Sequence, residues 1–395
     1  MTQNQPAQTP GKKSNSADRV GLVVGAALVL LILVFQWFQS VMTDPIATIP
    51  PIKTPNPNAY DLYLKASDSI QNRKEVEGLS FRSWYLLQIK GDLTLDRAEK
   101  LLDQNRKPLE LMRQGMIYDY VEPIPARYFK SPGARVRMID LINLLVLDAS
   151  AKTKREDWQG LVSDELDRMQ FIKSIVNSDL SNKELTPLSS QDFLRFSKES
   201  PIDHLTATQC REDIARLEII LANERSLEAL ITANKWRNIL KMEAVFNELN
   251  GLELESGETM KSWFGDIPCQ ELISFKSRSR RGTMQQYLRE TDTSVSSLNQ
   301  NNPGFGFNGT MRFSAIDNYF TIDPQNLKMV RINGHLEKTR LLLMLAVHSY
   351  KLEHGDFPTE LKALAPKYLH RLPDDPSSSG KPVRDSQFSD LLKKK

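Results

Sequence analysis

The chain has 395 residues, with 52 Lys and Arg against 49 Asp and Glu, a formal net charge of +3. That near balance excludes the concentrated positive charge with which a nucleic-acid binder displaces counterions, so no nucleic-acid partner is expected. The length allows one large or two ordinary domains with a real core.

Residues 1–19 are polar, rich in Gln, Asn, Ser and Pro, and read as a disordered tail. Residues 20–42, VGLVVGAALVLLILVFQWFQSVM, carry no charge and are long enough to cross a hydrocarbon core of about 30 Å as a helix. The apolar run exceeds the h-region of a signal peptide, and Trp37 stands where an interfacial aromatic belt belongs. Lys12, Lys13 and Arg19 precede the span and no basic residue follows until Lys53. By the positive-inside rule the N-terminus is cytoplasmic and the body extracytoplasmic in the cell membrane. The lipid bilayer is therefore an expected partner, and Gly21 with Gly25 forms a small-xxx-small pair that suits self-association of the span.

Residues 43–57 hold five prolines and read as a stiff extended spacer. The segment 58–250 reads as a helical body. Asn58 caps its first helix, whose pattern fades near Glu77 and Gly78. Thr94 caps a second, read as one kinked helix over 95–117 with the kink at Pro108. A Pro-rich loop precedes a densely apolar helix ending near Lys152, and a partner starting at Asp157 folds back on it as a hairpin. A shorter helix is expected over 188–196. A capping-box pair, Thr206 and Gln209, opens a periodic run to about Asn250, with a break expected near Ala233 and Asn234. Glu224 and Arg225 fall inside that run as a buried polar pair or as groove residues.

Residues 251–322 lose Leu and Ala to Gly, Ser, Asn and Arg, and read as a loop-rich connecting region. Its basic group, Lys276, Arg278, Arg280 and Arg281, is either a contact for an anionic surface or a solvated loop. Met311 to Phe313 and Tyr319 to Ile322 have short-strand character. Residues 323–384 begin with Asp323-Pro324, a helix start, and run as a helix to Gly355, suited to a left-handed helix end. A compact cap follows, and residues 385–395 read as a tail. The fold class is thus mainly α: one transmembrane helix, then an irregular helical-hairpin bundle or solenoid with a small C-terminal helix-turn-helix cap.

The cap carries a specific pattern. Tyr350 to Gly355, Phe357-Pro358, Leu361, Leu364, Pro366, Tyr368-Leu369, Pro373, Asp375-Pro376 and Gly380-Lys381-Pro382 occur in an order that resembles the tail of a family of bacterial membrane-anchored proteins of unassigned function. The same elements are similar, more distantly, to the globular tail of type II secretion pseudopilins. Segments in 58–67, 98–116 and 148–167 also look like the bacterial family, so the resemblance spans most of the body. It implies a tethered extracytoplasmic helical scaffold or interaction protein of the cell envelope, with other envelope proteins as partners and a link to secretion or pilus-like machinery. The span lacks the Glu of a prepilin-peptidase site, and the chain lacks the terminal aromatic strands where secretion pseudopilins hold calcium. No metal site is therefore carried onto Asp374 and Asp375.

No nucleophile elbow, P-loop, zincin or dinucleotide motif occurs, so no catalytic residue, metal or cofactor is assigned. His348 and His354 fall on different helix faces, and the pair Asp164 and Asp167 reads as a solvated face. The alternative to a scaffold is an envelope hydrolase using carboxylates in a groove between hairpins. Cys210 and Cys269 leave two options open, one disulfide or two buried thiols.

Overall fold

The computed structural model describes residues 29–35, 53–79, 94–124, 138–176, 200–255, 259–262, 265–298, 324–375 and 381–392. The fold is mainly helical. Residues 29–35 are helical and each is 48–70% exposed. The rest of the expected span, including Gly21 and Gly25, lies outside the described residues, as do the expected helix over 188–196 and both expected strands. Among the described residues no helix is long and apolar enough to cross a membrane.

The body opens with α1 (Ala59–Asp68), capped as expected by Asn58, whose side chain accepts from the Tyr60 amide at 3.1 Å. Asn58 also donates to Val121 O at 2.8 Å and accepts from Val121 N at 3.0 Å, which ties the start of α1 to the chain near residue 120. A short α2 (Arg73–Gly78) follows. The single kinked helix expected over 95–117 is instead two, α3 (Leu95–Gln104) and α4 (Arg106–Gly115). They part at Asn105, whose buried amide bonds both backbone groups of Gln71 and the Leu101 carbonyl. Pro108 does not cause the break. It sits in the first turn of α4, where a missing N–H costs nothing.

Next come α5 (Met138–Lys154) and α6 (Trp158–Val176), packed as the expected hairpin. Asp157 accepts from the Gly160 amide at 2.9 Å and so starts α6. α6 has two apolar faces. Phe171, Ile172 and Ile175 join α1 to α5 in a first core, while Val162, Leu166 and Met169 join a second core. In the first core Phe171 meets Tyr63 edge-on at 4.8 Å, with both rings fully buried, a contribution of roughly 1.5–3 kcal/mol for the phenyl burial.

The second core brings together α6, a 3-10 turn over Pro201–His204, α7 (Ala207–Ala222) and the long α11 (Pro324–His354). The Thr206 and Gln209 capping box opens α7 as read. The run to Asn250 breaks earlier than expected. α7 ends at Ala222, and Ser226 caps α8 (Leu227–Asn250) by accepting from Ala229 N at 3.1 Å. The helix runs unbroken through Ala233 and Asn234, and the Asn234 amide donates to the Leu230 carbonyl one turn back.

The loop-rich reading of 251–322 is corrected where residues are described. Thr259–Ser262 (β1) and Gly265–Pro268 (β2) form an antiparallel hairpin in register Thr259 with Pro268. Cys269–Lys276 (α9) and Arg280–Leu298 (α10) pack on α8, with Phe275 stacked on Phe246 at 4.6 Å and Met284 and Tyr287 buried. These residues form a third core, which a polar composition concealed. Of the basic group, Lys276 donates to Leu252 O at 2.8 Å, Arg280 pairs with Glu243 and Arg278 lies over the Phe275 ring, while Arg280 and Arg281 remain exposed.

α11 starts at Pro324 and ends at His354, with Gly355 at φ +82°, the left-handed end expected of it. A Cβ there would touch nothing, so backbone conformation alone calls for glycine. The cap closes on α11 through Leu361, Leu364, Tyr368 and Leu369, all buried, with Phe357 half-buried and Pro358 buried. Its helix is a 3-10 turn, Leu361–Leu364, rather than a second α-helix. Pro373 and Asp375 lie in a backbone ladder to Val383 and Lys381, and Pro376 is outside the described residues. The expected tail at 385–395 is corrected: Phe388 and Leu391, the latter on α12 (Ser389–Leu392), are buried in the second core.

Candidate ligand-binding cleft

α6 carries two buried charge systems. Near its start Asp164 and Asp167 are 1% and 7% exposed, which corrects the solvated-face reading. Arg113 of α4 donates to Asp148, Asp164 and Asp167 at 2.9, 2.8 and 2.7 Å, Lys152 bonds Asp148 and Asp164 at 3.1 and 2.6 Å, and Arg216 of α7 closes on Asp167. Three carboxylates thus face three cations across four helices. Burial, with the Asp148 charge alongside, pushes Asp164 up to about 7 despite its two cations. The same carboxylates hold Arg113 above its ordinary range.

One helical turn beyond, α6 turns to a cleft of about 770 Å³, within the size range of small-molecule sites. Its floor is Gln170, Lys173 and Ser174, an i, i+3, i+4 set on one helix face, and one wall is the matching set Ala233, Trp236 and Arg237 on α8. The opposite wall is the chain from Met116 to Val121, anchored where Asn58 bonds Val121 and where Gln170 bonds the Met116 carbonyl. Lys53, Pro55 and the α7–α8 turn at Asn223 and Arg225 complete it.

The lining is basic and aromatic. Lys53, Lys173, Arg225 and Arg237 stand against one carboxylate, Asp119, with Tyr118, Tyr120 and Trp236 in the walls. Arg237 is held by the Glu122 carbonyl. Ile117 is 76% exposed beside the opening. Lys173 is only 9% exposed, yet among the described residues its ammonium has no hydrogen-bond or ion-pair partner. The carboxylate that acts on it electrostatically is bonded elsewhere: Glu224, in the α7–α8 turn, accepts from His335 at 3.0 Å and from Lys338, and is drawn down to about 2 against its own burial. Burial, with the Lys338 charge, lowers Lys173, and Glu224 only partly offsets this. Glu224 and Arg225 therefore lie in a turn, not inside a helix, the first as a buried pair and the second on the groove.

The residues singled out by sequence fall elsewhere. Among the described cap residues Tyr350, Phe357, Leu361, Leu364, Tyr368 and Leu369 pack in the second core, with Tyr368 donating to Glu353 at 2.7 Å. His348 is buried with Nε2 3.1 Å from Leu205 O, and His354 is exposed against the Tyr350 ring. Cys210 and Cys269 are separate buried thiols, Cys210 in the second core and Cys269 at the first residue of α9, so the disulfide option is set aside. Burial pushes the Cys210 thiol up to about 12. Sequence reasoning passed over Lys173, which has the spacing of an ordinary helix lysine and carries no signal of its burial.

Comparison with protein-family models, with curated proteins and with solved structures gave no match. The reading of the cleft rests on its geometry.

Proposed function

We propose that this protein is a membrane-tethered, extracytoplasmic helical binding protein of the bacterial cell envelope, acting by non-covalent contact. The observation that carries the reading is the division of charge along α6. The carboxylates converge in an ion-paired seam, while the cleft presents cations and aromatic rings, groups suited to holding a ligand. A carboxylate hydrolase draws on Asp164, whose raised pKa suits a general acid. At 1% exposure and bound to Arg113 and Lys152, however, that carboxyl has no access to a substrate.

The tether is supported by the uncharged run 20–42 and by Val29 to Phe35, seven apolar residues in helical form that stay exposed all round. Lys53 follows Met42 by so few residues that the cleft opens at most roughly 40 Å from the end of the span. The cap's likeness to pseudopilin tails and the small pair Gly21 and Gly25 make other envelope proteins, a secretion or pilus-like assembly, and a second copy of the span the partners in this reading. Protease added to intact spheroplasts tests the topology: the body beyond about residue 45 is digested, whereas full protection of the body refutes it.

A further inference from the structure

We propose that the cleft binds a phosphate monoester bearing an apolar or aromatic substituent, with the phosphate at Lys173 and Arg225 and the substituent against Trp236 and Tyr118.

Lys173 is 9% exposed as a residue and its ammonium lines the cleft, where among the described residues it has no hydrogen-bond or ion-pair partner; an anion bound there would answer a partly desolvated charge. Glu224 acts on it only through space, its oxygens being bonded to His335 and Lys338 rather than to the Lys173 ammonium. The lining as a whole carries four cationic side chains, Lys53, Lys173, Arg225 and Arg237, against the one carboxylate Asp119, and that balance suits a dianion better than a carboxylate. Lysine serves phosphate as a point charge, and the exposed Arg225 at the lip adds a planar fork. The walls supply the remaining recognition. Trp236 is half-buried with Lys235 over its ring at 4.7 Å, so its outer part is left for an apolar or aromatic group. Such an ester has two sources, the headgroup of a lipid or a soluble ester, and both share this chemistry.

The inference rests on the reading of the cleft as a binding site and is independent of the tether. Isothermal titration of the full chain, held in nanodiscs of zwitterionic lipid, tests it with inorganic phosphate, phenyl phosphate, dihexanoyl phosphatidic acid and hexanoate. The esters bind at least about tenfold more tightly than inorganic phosphate or hexanoate. Lys173→Met lowers ester affinity at least about tenfold while the body stays folded by circular dichroism, and Trp236→Ala brings the esters down to the level of inorganic phosphate. Lys351→Met, at an exposed site on α11, leaves binding unchanged. Preference for phosphatidic acid over phenyl phosphate assigns the lipid source, and the reverse assigns the soluble one. No binding of either ester, hexanoate binding as well as they do, or full affinity in Lys173→Met overturns the proposal. Ester binding with a protected body in spheroplasts removes the tether alone, and a digested body without ester binding removes this inference alone.

Discussion

Asp164 and Lys173 sit on the same helix, and both are almost sealed from water, at 1% and 9% exposure. Asp164 has two cations within 3 Å, whereas Lys173 has no partner among the described residues. A buried charge answered from neighbouring helices fixes how those helices meet; one left unanswered beside a cleft is available to something outside the chain. The contrast assigns α6 two roles, a seam at one end and a binding floor at the other.

The largest effect is expected at the seam. Arg113→Met leaves Asp148, Asp164 and Asp167 with only Lys152 and Arg216 between them. Breaking a buried network by removing one partner costs about 3–5 kcal/mol, and the partial exposure of Arg113 reduces this to about 2–4 kcal/mol, readable from the urea midpoint at pH 7. A loss as small as that at an ordinary surface pair would make the seam ornamental.

A smaller effect separates the seam by pH. Asp164 has a folded pKa of about 7 against an ordinary value of 3.8, so between those values the folded state holds a proton that the unfolded chain has released. Stability from this group is therefore full below about pH 4 and declines as pH rises through 7. Asp164→Asn mimics the protonated form. Between pH 5 and 8 the wild type should lose about 1–3 kcal/mol relative to the variant in paired urea titrations. Parallel titration curves would place the proton elsewhere in the cluster.

The smallest effect has the opposite sign. With no ligand present, Lys173→Met removes a desolvated charge and keeps the aliphatic packing, so it should stabilise the body by about 0.5–2 kcal/mol. Saturating phenyl phosphate then raises the melting temperature of the wild type and not of the variant. Destabilisation by Lys173→Met would mean that the lysine is answered within the protein, and the comparison on α6 would fail.

Local signals were legible wherever a few neighbouring residues suffice. Asn58, Thr94, Thr206 with Gln209, Pro324 and Gly355 act as the starts and stops that their side chains or backbone freedom dictate. Breaks governed by distant partners were not legible. The division at Asn105 follows from its bonds to Gln71, and the turn at Asn223 to Ser226 coincides with the Glu224 contact to α11. The helix over 280–298 was hidden because composition measures average polarity, whereas Met284, Tyr287 and Thr291 need only share one face toward α8.

The sequence by itself determined a mainly helical chain, the α5–α6 hairpin, most helix caps and the closing of the C-terminal cap on α11, because periodicity and capping act within a turn or two of the chain. Only the tertiary structure decided which charges are answered. Asp164 and Asp167 have the spacing of a surface pair and Lys173 that of an ordinary helix lysine. Their burial, and the presence of Arg113 and Arg216 beside the first two but of no partner beside the third among the described residues, come from helices brought together across long stretches of sequence. Electrostatic energy depends on distance in space and on the local exclusion of water, neither of which is written along the chain.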